Sequence, residues 1–178
     1  MKLKREEAIE LLSYRELVVL SDKRRESIII DMVDEIELDS ITDFADSKYD
    51  SLIMSYLKSS FIGTKNDFLQ KSVQTVLQAD VSIVGEPENL LCCPCCNYHT
   101  LKSRGQYFTC RVCFWEDDGN DDASNYSSAN RMHLDEARKS FLVNGVYKLD
   151  AKKSVDINSR DIFLKCSGLM PTDTILQS

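Results

Sequence analysis

Apolar residues recur at helical spacing through most of the first 80 positions. Ile9, Leu12, Leu17 and Leu20 mark one face of a helix from Arg5 to about Leu20, with a break suggested at Ser13. Ser21 suits the N-cap of a second helix and Asp22 its first turn; Ile28, Ile29, Met32, Val33 and Ile36 form the buried stripe. Asp39 to Asp50 reads as an acidic turn. Leu52, Ile53, Tyr56 and Leu57 predict a short helix ended by Gly63. Asn66 then caps a helix carrying Leu69, Val73, Val76 and Leu77.

The pattern changes at Val81–Val84, a β-branched run closed by Gly85-Glu86-Pro87-Glu88, which reads as a domain boundary. A cysteine-dense segment runs on to Trp115, and a polar loop occupies 116–130. His133 to Val143 predicts a helix with Leu134, Ala137, Phe141 and Leu142 inward, stopped by a left-handed cap at Asn144-Gly145. Val146–Leu149 reads as a strand, and Ile162-Phe163-Leu164 as a strand or short helix. The expected fold class is α+β. A helical region (1–85) would pack on a zinc-ribbon-like β module with a following helix and a tail (86–178).

Chemistry concentrates in the second region. Six of the seven cysteines lie within 22 residues. No apolar run approaches the roughly 20 residues of a membrane span, and the basic N-terminus has no apolar stretch behind it. A cytoplasmic protein is therefore expected, and in a reducing compartment such density points to metal binding. Cys93 and Cys96 make one C-x-x-C, Cys110 and Cys113 another, with 13 residues between them. Pro94 shapes the first turn, and Asn97 tolerates a left-handed backbone where glycine is common. Tyr98, Thr100, Gln106 and Phe108 would run out and back as a hairpin through Ser103-Arg104-Gly105. The turns would then meet at one zinc ion held by four sulfurs, at about 2.3 Å each. Four thiolates close the coordination shell, so the metal is expected to be structural. An iron–sulfur centre or a metal-free thiol cluster is the alternative. Cys95 should face away from the metal, Cys92 could compete with Cys93, and Cys166 reads as an idle buried thiol. His99 reads as an exposed hairpin residue, and Phe114 and Trp115 as packing for the metal module.

The run Cys93-Pro94-Cys95-Cys96, with Tyr98 and Leu101, then Cys110-x-x-Cys113-Phe114-Trp115-Glu116-Asp117-Asp118-Gly119, then Asn130, Leu134, Glu136, Ala137 and Arg138, resembles the bacterial cysteine-rich CPCC family. The weaker likeness of the N-terminal half rests on Arg5-Glu6-Glu7-Ala8, Leu20-Ser21, Tyr49-Asp50, Lys65-Asn66 and Val84-Gly85-Glu86-Pro87-Glu88. Here Asn97 replaces the usual glycine, and Cys92 stands where an aromatic or proline is common. The resemblance implies a zinc-ribbon-like module, and a setting in toxin and contact-dependent inhibition loci where small acidic proteins act as immunity factors.

Net charge is −7, and its distribution is uneven. Residues 1–90 hold 11 Lys/Arg against 18 Asp/Glu, while residues 91–178 hold 11 of each. An acidic first half disfavours nucleic acid and favours a basic partner, and the family resemblance implies that this partner is a cognate toxin, a basic nuclease above all. The candidate partner surface comprises Asp31, Asp34, Glu35, Glu37 and Asp39, together with Glu116, Asp117, Asp118, Asp121 and Asp122. The second group lacks the spacing of an EF-hand calcium loop. No catalytic constellation is evident: there are two histidines, no phosphate loop and no HExxH motif. Taken with the setting that the resemblance implies, the expectation is a toxin-neutralising immunity protein and not an enzyme. A zinc-ribbon protein of nucleic-acid binding or transcription is the second reading, and a redox switch through Cys92 and Cys95 the third.

Overall fold

The first helix forms where the apolar spacing predicts it. In the computed structural model, which describes residues 1–33, 41–156 and 158–167, α1 spans Arg5–Val18. The Glu7 carboxylate closes its N-terminus by accepting the Lys4 backbone N–H at 2.7 Å. Ala8, Leu12 and Ser13 are all buried, so packing carries the helix through Ser13 without a break. Ahead of α1, the strand β1 (Lys2–Lys4) pairs in parallel with β2 (Ser82–Val84), Leu3 opposite Ile83.

α2 (Asp22–Met32) begins at Ser21, whose hydroxyl accepts the Arg24 N–H at 3.4 Å. Ile28 and Ile29 are fully buried, but Met32, in the last turn, is exposed; Ile36 lies outside the described residues. A 3-10 turn (Ser47–Tyr49) leads into α3 (Asp50–Ser60), followed by α4 (Asn66–Leu77). Two cores result. One gathers Ile28, Ile29, Tyr49, Ile53 and Leu57; the other gathers Ala8, Leu12, Phe61, Leu69, Val73 and Val81. Asn66 is not a cap but the first helical residue. Its side chain accepts from the Arg5 guanidinium at 2.9 Å and donates to the Gly85 carbonyl at 2.7 Å, which ties the start of α4 to the start of α1.

These elements form one compact unit, residues 1–62 with 66–87; the rest of the described chain, 63–65 with 88–167, forms a second. In the second, β3 (Leu91–Cys92) pairs antiparallel with β4 (His99–Leu101), and β5 (Tyr126–Ser127) with β6 (Met132–His133). Residues near 165 add an edge to β4: His99 N–H donates to Leu164 O, and Cys166 N–H to Asn97 O, both at 2.9 Å.

α5 (Leu134–Asn144) ends at Gly145 with φ +79°, the left-handed cap expected. Its buried positions are 134, 137, 138 and 141, so the inward face includes Arg138 and leaves Leu142 exposed. Arg138 lies along this face and donates from Nε to the Pro94 carbonyl at 2.9 Å. Val146–Leu149 is not a strand. Tyr147 N–H makes one bond, to Cys113 O, and the chain enters a 3-10 segment (Leu149–Ser154) before α6 (Ser159–Ile162).

Candidate metal centre

Two turns of the same construction carry the four sulfurs. In the first, Asn97 N–H donates to Cys93 O and Cys93 N–H to Tyr98 O, both at 2.9 Å. In the second, Phe114 N–H donates to Cys110 O and Cys110 N–H to Trp115 O, both at 2.8 Å. Each turn places the residue after its second cysteine in the left-handed region, Asn97 at φ +61° and Phe114 at φ +68°. The C-x-x-C spacing allows this tight reversal, and the reversal brings both thiols of a pair to one side.

Each turn closes its own hairpin, which differs from the single hairpin expected through Ser103-Arg104-Gly105. β3 and β4 flank the first turn. Thr109 bridges Glu116, and Tyr107 N–H reaches Asp117 O across the second. Residues 103–105 form a bend around the Asp117 carboxylate instead. Arg104 Nε donates to both Asp117 oxygens at 3.0 and 3.1 Å, and Gly105 N–H donates at 2.7 Å. A carboxylate that accepts all three contacts from these two donors organises this stretch as a loop.

Cys93, Cys96, Cys110 and Cys113 are all buried and unbonded to one another. Cys93 Sγ lies 3.6 Å from Cys113 Sγ, and Cys96 Sγ lies 3.5 Å from Cys110 Sγ. All four sulfurs fall within 4.8 Å of one another. A tetrahedral ion with metal–sulfur bonds of about 2.3 Å separates its ligands by about 3.8 Å. The spacing therefore fits four ligands on one ion. It is too wide for disulfides and too narrow for a multi-iron cluster, which spreads its four thiolates over two or more irons.

The electrostatics point the same way. Burial raises the Cys93 thiol and lifts Cys96 and Cys113 well above the ordinary thiol range. Burial also opposes ionisation of Cys110. There, hydrogen bonds from Cys113, Cys93, Cys96 and Thr100 outweigh it and bring Cys110 well below that range. The Thr100 hydroxyl stands 3.0 Å from Cys110 Sγ, and the Val112 N–H 3.4 Å. Four buried sulfurs cannot all carry charge unless a cation sits among them.

Residues 91–161 match the family model described as cysteine-rich CPCC. The chain carries a cysteine-rich CPCC domain. Searches of curated proteins and of solved structures returned no match. The CPCC match spans both turns, α5 and part of the tail, the elements that surround the cluster. Trp115 is fully buried against Tyr147 at 5.9 Å between ring centres, and Phe114 is partly exposed.

The remaining residues singled out from the sequence are more dispersed. Asp34, Glu35, Glu37 and Asp39 lie outside the described residues. Asp31 is exposed on α2. In the CPCC domain, Asp117 is fully buried and bound to Arg104, which removes it from the acidic docking set. Asp121 is exposed and pairs with Arg104 Nη2 at 2.7 Å. Asp122 is exposed and accepts from the Ser124 N–H and hydroxyl, which lower its carboxyl below the usual range. Asp118 accepts the Asn120 N–H at 3.2 Å, and Glu116 is half-buried. These bonds fix the loop as a scaffold.

Cys166 and His99 depart from the sequence reading, whereas Cys95 stays off the metal group as expected. Cys166 is not idle: it is disulfide-bonded to Cys92. His99 is half-buried, with Nδ1 2.6 Å from Leu90 O and Nε2 4.0 Å from Cys92 Sγ. Cys95 is fully buried beside Cys113 but outside the four-sulfur group. Cys92 and Cys166 are 74 positions apart, and no local pattern links them. The one cue is the extra cysteine at 92, directly beside the first pair.

Proposed function

We propose that the CPCC domain holds one structural zinc ion through Cys93, Cys96, Cys110 and Cys113. We further propose that the chain is a non-catalytic binding protein, an immunity protein that neutralises a basic toxin. The closed four-sulfur cluster supports the first part. Among the described residues no fifth histidine, cysteine or carboxylate joins it, so bound zinc would have no open position for substrate. The metal supplies folding free energy and fixes the two turns; Thr100 and the Val112 N–H hold the Cys110 sulfur in place.

The charge distribution supports the second part. The whole excess of −7 lies in residues 1–90, and a basic nuclease gains affinity and encounter rate from such a surface. No helix among the described residues is long and apolar enough to cross a membrane. The test starts from the adjoining genes: a toxin domain found there is co-expressed with this chain. Growth should be rescued, and the purified pair should associate at a rate that falls as salt rises. Failure to rescue, together with tight DNA or RNA binding at physiological salt, would overturn the toxin reading. Metal analysis should return one zinc per chain under non-reducing conditions, and Cys113→Ser should lose it.

A further inference from the structure

Cys92 and Cys93 are neighbours, and neighbouring residues on an extended strand point to opposite faces. Cys93 joins the four-sulfur cluster, whereas Cys92 joins His99 and Cys166. We propose that Cys92, His99 and Cys166 form a second metal site that is gated by redox state: sealed as a disulfide, and open to a zinc-class divalent ion when reduced.

The imidazole carries the argument. His99 Nδ1 is 2.6 Å from the Leu90 carbonyl oxygen, which can only accept, so Nδ1 bears the ring proton. Nε2 is then left with its lone pair, and it faces Cys92 Sγ at 4.0 Å. A sulfur in a disulfide has no proton to offer. Two lone-pair donors therefore face each other with nothing shared between them. A backbone carbonyl on one ring nitrogen, with the other nitrogen free toward sulfur, is the support that metal-binding histidines receive.

The backbone holds the three residues together whether or not the sulfurs are joined. Cys92 and His99 are register partners between β3 and β4. His99 N–H donates to Leu164 O, Cys166 N–H to Asn97 O, and Tyr98 bridges Lys165. Breaking the S–S bond removes none of these bonds. The three ligand atoms already lie within 4.8 Å of one another, and side-chain rotation suffices to part the sulfurs to ligand spacing. Two sulfurs and one nitrogen suit zinc, and the half-buried Cys92 and His99 leave a fourth position to solvent.

The step balances with a dithiol or phosphine reductant. The reductant gives two electrons to the Cys92–Cys166 bond. A dithiol supplies the two protons that complete the thiols and ends as its own disulfide; with a phosphine, water supplies both protons and the oxygen of the phosphine oxide. Zinc then displaces both thiol protons to solvent and binds two thiolates and one neutral imidazole.

The test uses the full chain loaded with zinc, with native mass spectrometry to count ions and intact mass to report the disulfide. The disulfide form should hold one zinc, and the form reduced with a phosphine should hold two. Under the same reductant, Cys166→Ser and His99→Ala should each return to one. Cobalt(II) in place of zinc distinguishes the sites, because the second equivalent should show charge transfer from two thiolates and not four. If the four-sulfur site failed to bind metal, the reduced chain would still take one cobalt, with the two-thiolate spectrum lost in Cys166→Ser. A reduced chain without the two-thiolate cobalt equivalent, or a Cys166→Ser chain that retains it, would overturn the proposal.

Discussion

Asn97 and Phe114 hold equivalent places in the two turns, and both pay for it in backbone strain. Their φ values of +61° and +68° lie where an L-residue meets its own carbonyl, at roughly 1–2 kcal/mol for most side chains and less for asparagine. Asn97→Gly should leave stability within about 0.5 kcal/mol of the parent, whereas Asn97→Val should lower it by about 1–2 kcal/mol. Thermal midpoints of the metal-loaded chains check this, and an unchanged Asn97→Val would show that the left-handed turn is not required. The first turn was legible because asparagine after a C-x-x-C is a cue in itself. Phe114 gives no such cue, since its type disfavours the conformation that its position demands. Asp117 was legible only as one acid among five. Its burial depends on Arg104, 13 residues away, and Arg104→Met would strand a carboxylate in the interior. That substitution should cost about 3 kcal/mol, more than the double change with Asp117→Leu; the two unfolding midpoints decide the order.

The helices show how far patterning reaches, and α5 shows where charge refines it. Lys139 Nζ donates to Asp135 at 3.0 Å, one turn apart, and this bond, foremost, lowers the Asp135 carboxyl below the usual range. A depressed carboxyl stabilises the fold at pH above its unfolded value, and that contribution is lost as pH falls through its folded value. Lys139→Met should move the Asp135 titration upward by NMR, while stability near neutral pH changes by at most about 0.5 kcal/mol, as expected for an exposed pair. An unmoved titration would assign the depression to the helix N-terminus instead. Long amphipathic repeats made α1 to α5 readable. Apart from β2 within the Val81–Val84 run and β4 on the expected hairpin arm, the strands were not, because each is two or three residues long and too short to display alternation. β1 reads Lys-Leu-Lys and is recognisable only through its parallel partner about 80 residues later. The 146–149 run had strand-like composition but no ladder to join. The four sulfurs were readable because spacing encodes both turns, while the Cys92–Cys166 pair depends on a tail that only the fold brings back.

At the scale of the whole chain, the two units draw on different sources of stability. The first holds two apolar cores built from four of the six α-helices among the described residues. The second gathers its main core around the cysteines themselves, with Leu101, Val112, Trp115, Leu134 and Phe141 packed over them. Structural zinc binding is worth on the order of 10–16 kcal/mol, comparable to the entire stability of an ordinary domain. With zinc bound as proposed, its removal would leave four buried thiols with no cation among them, and strands too short to persist alone. Trp115 is the single tryptophan of the chain and is fully buried in this second core, so its fluorescence reports on the CPCC domain. A strong chelator should shift that emission to the red and increase its quenching by iodide. Most of the helical circular dichroism should remain, because α1 to α4 have cores that contain no sulfur. Readding zinc should restore the blue emission. If emission stays unchanged after metal analysis shows the ion gone, the cluster is a packed core that folds without it. If the helical signal collapses together with the emission, the ion supports both units, and the division of stability drawn here is wrong.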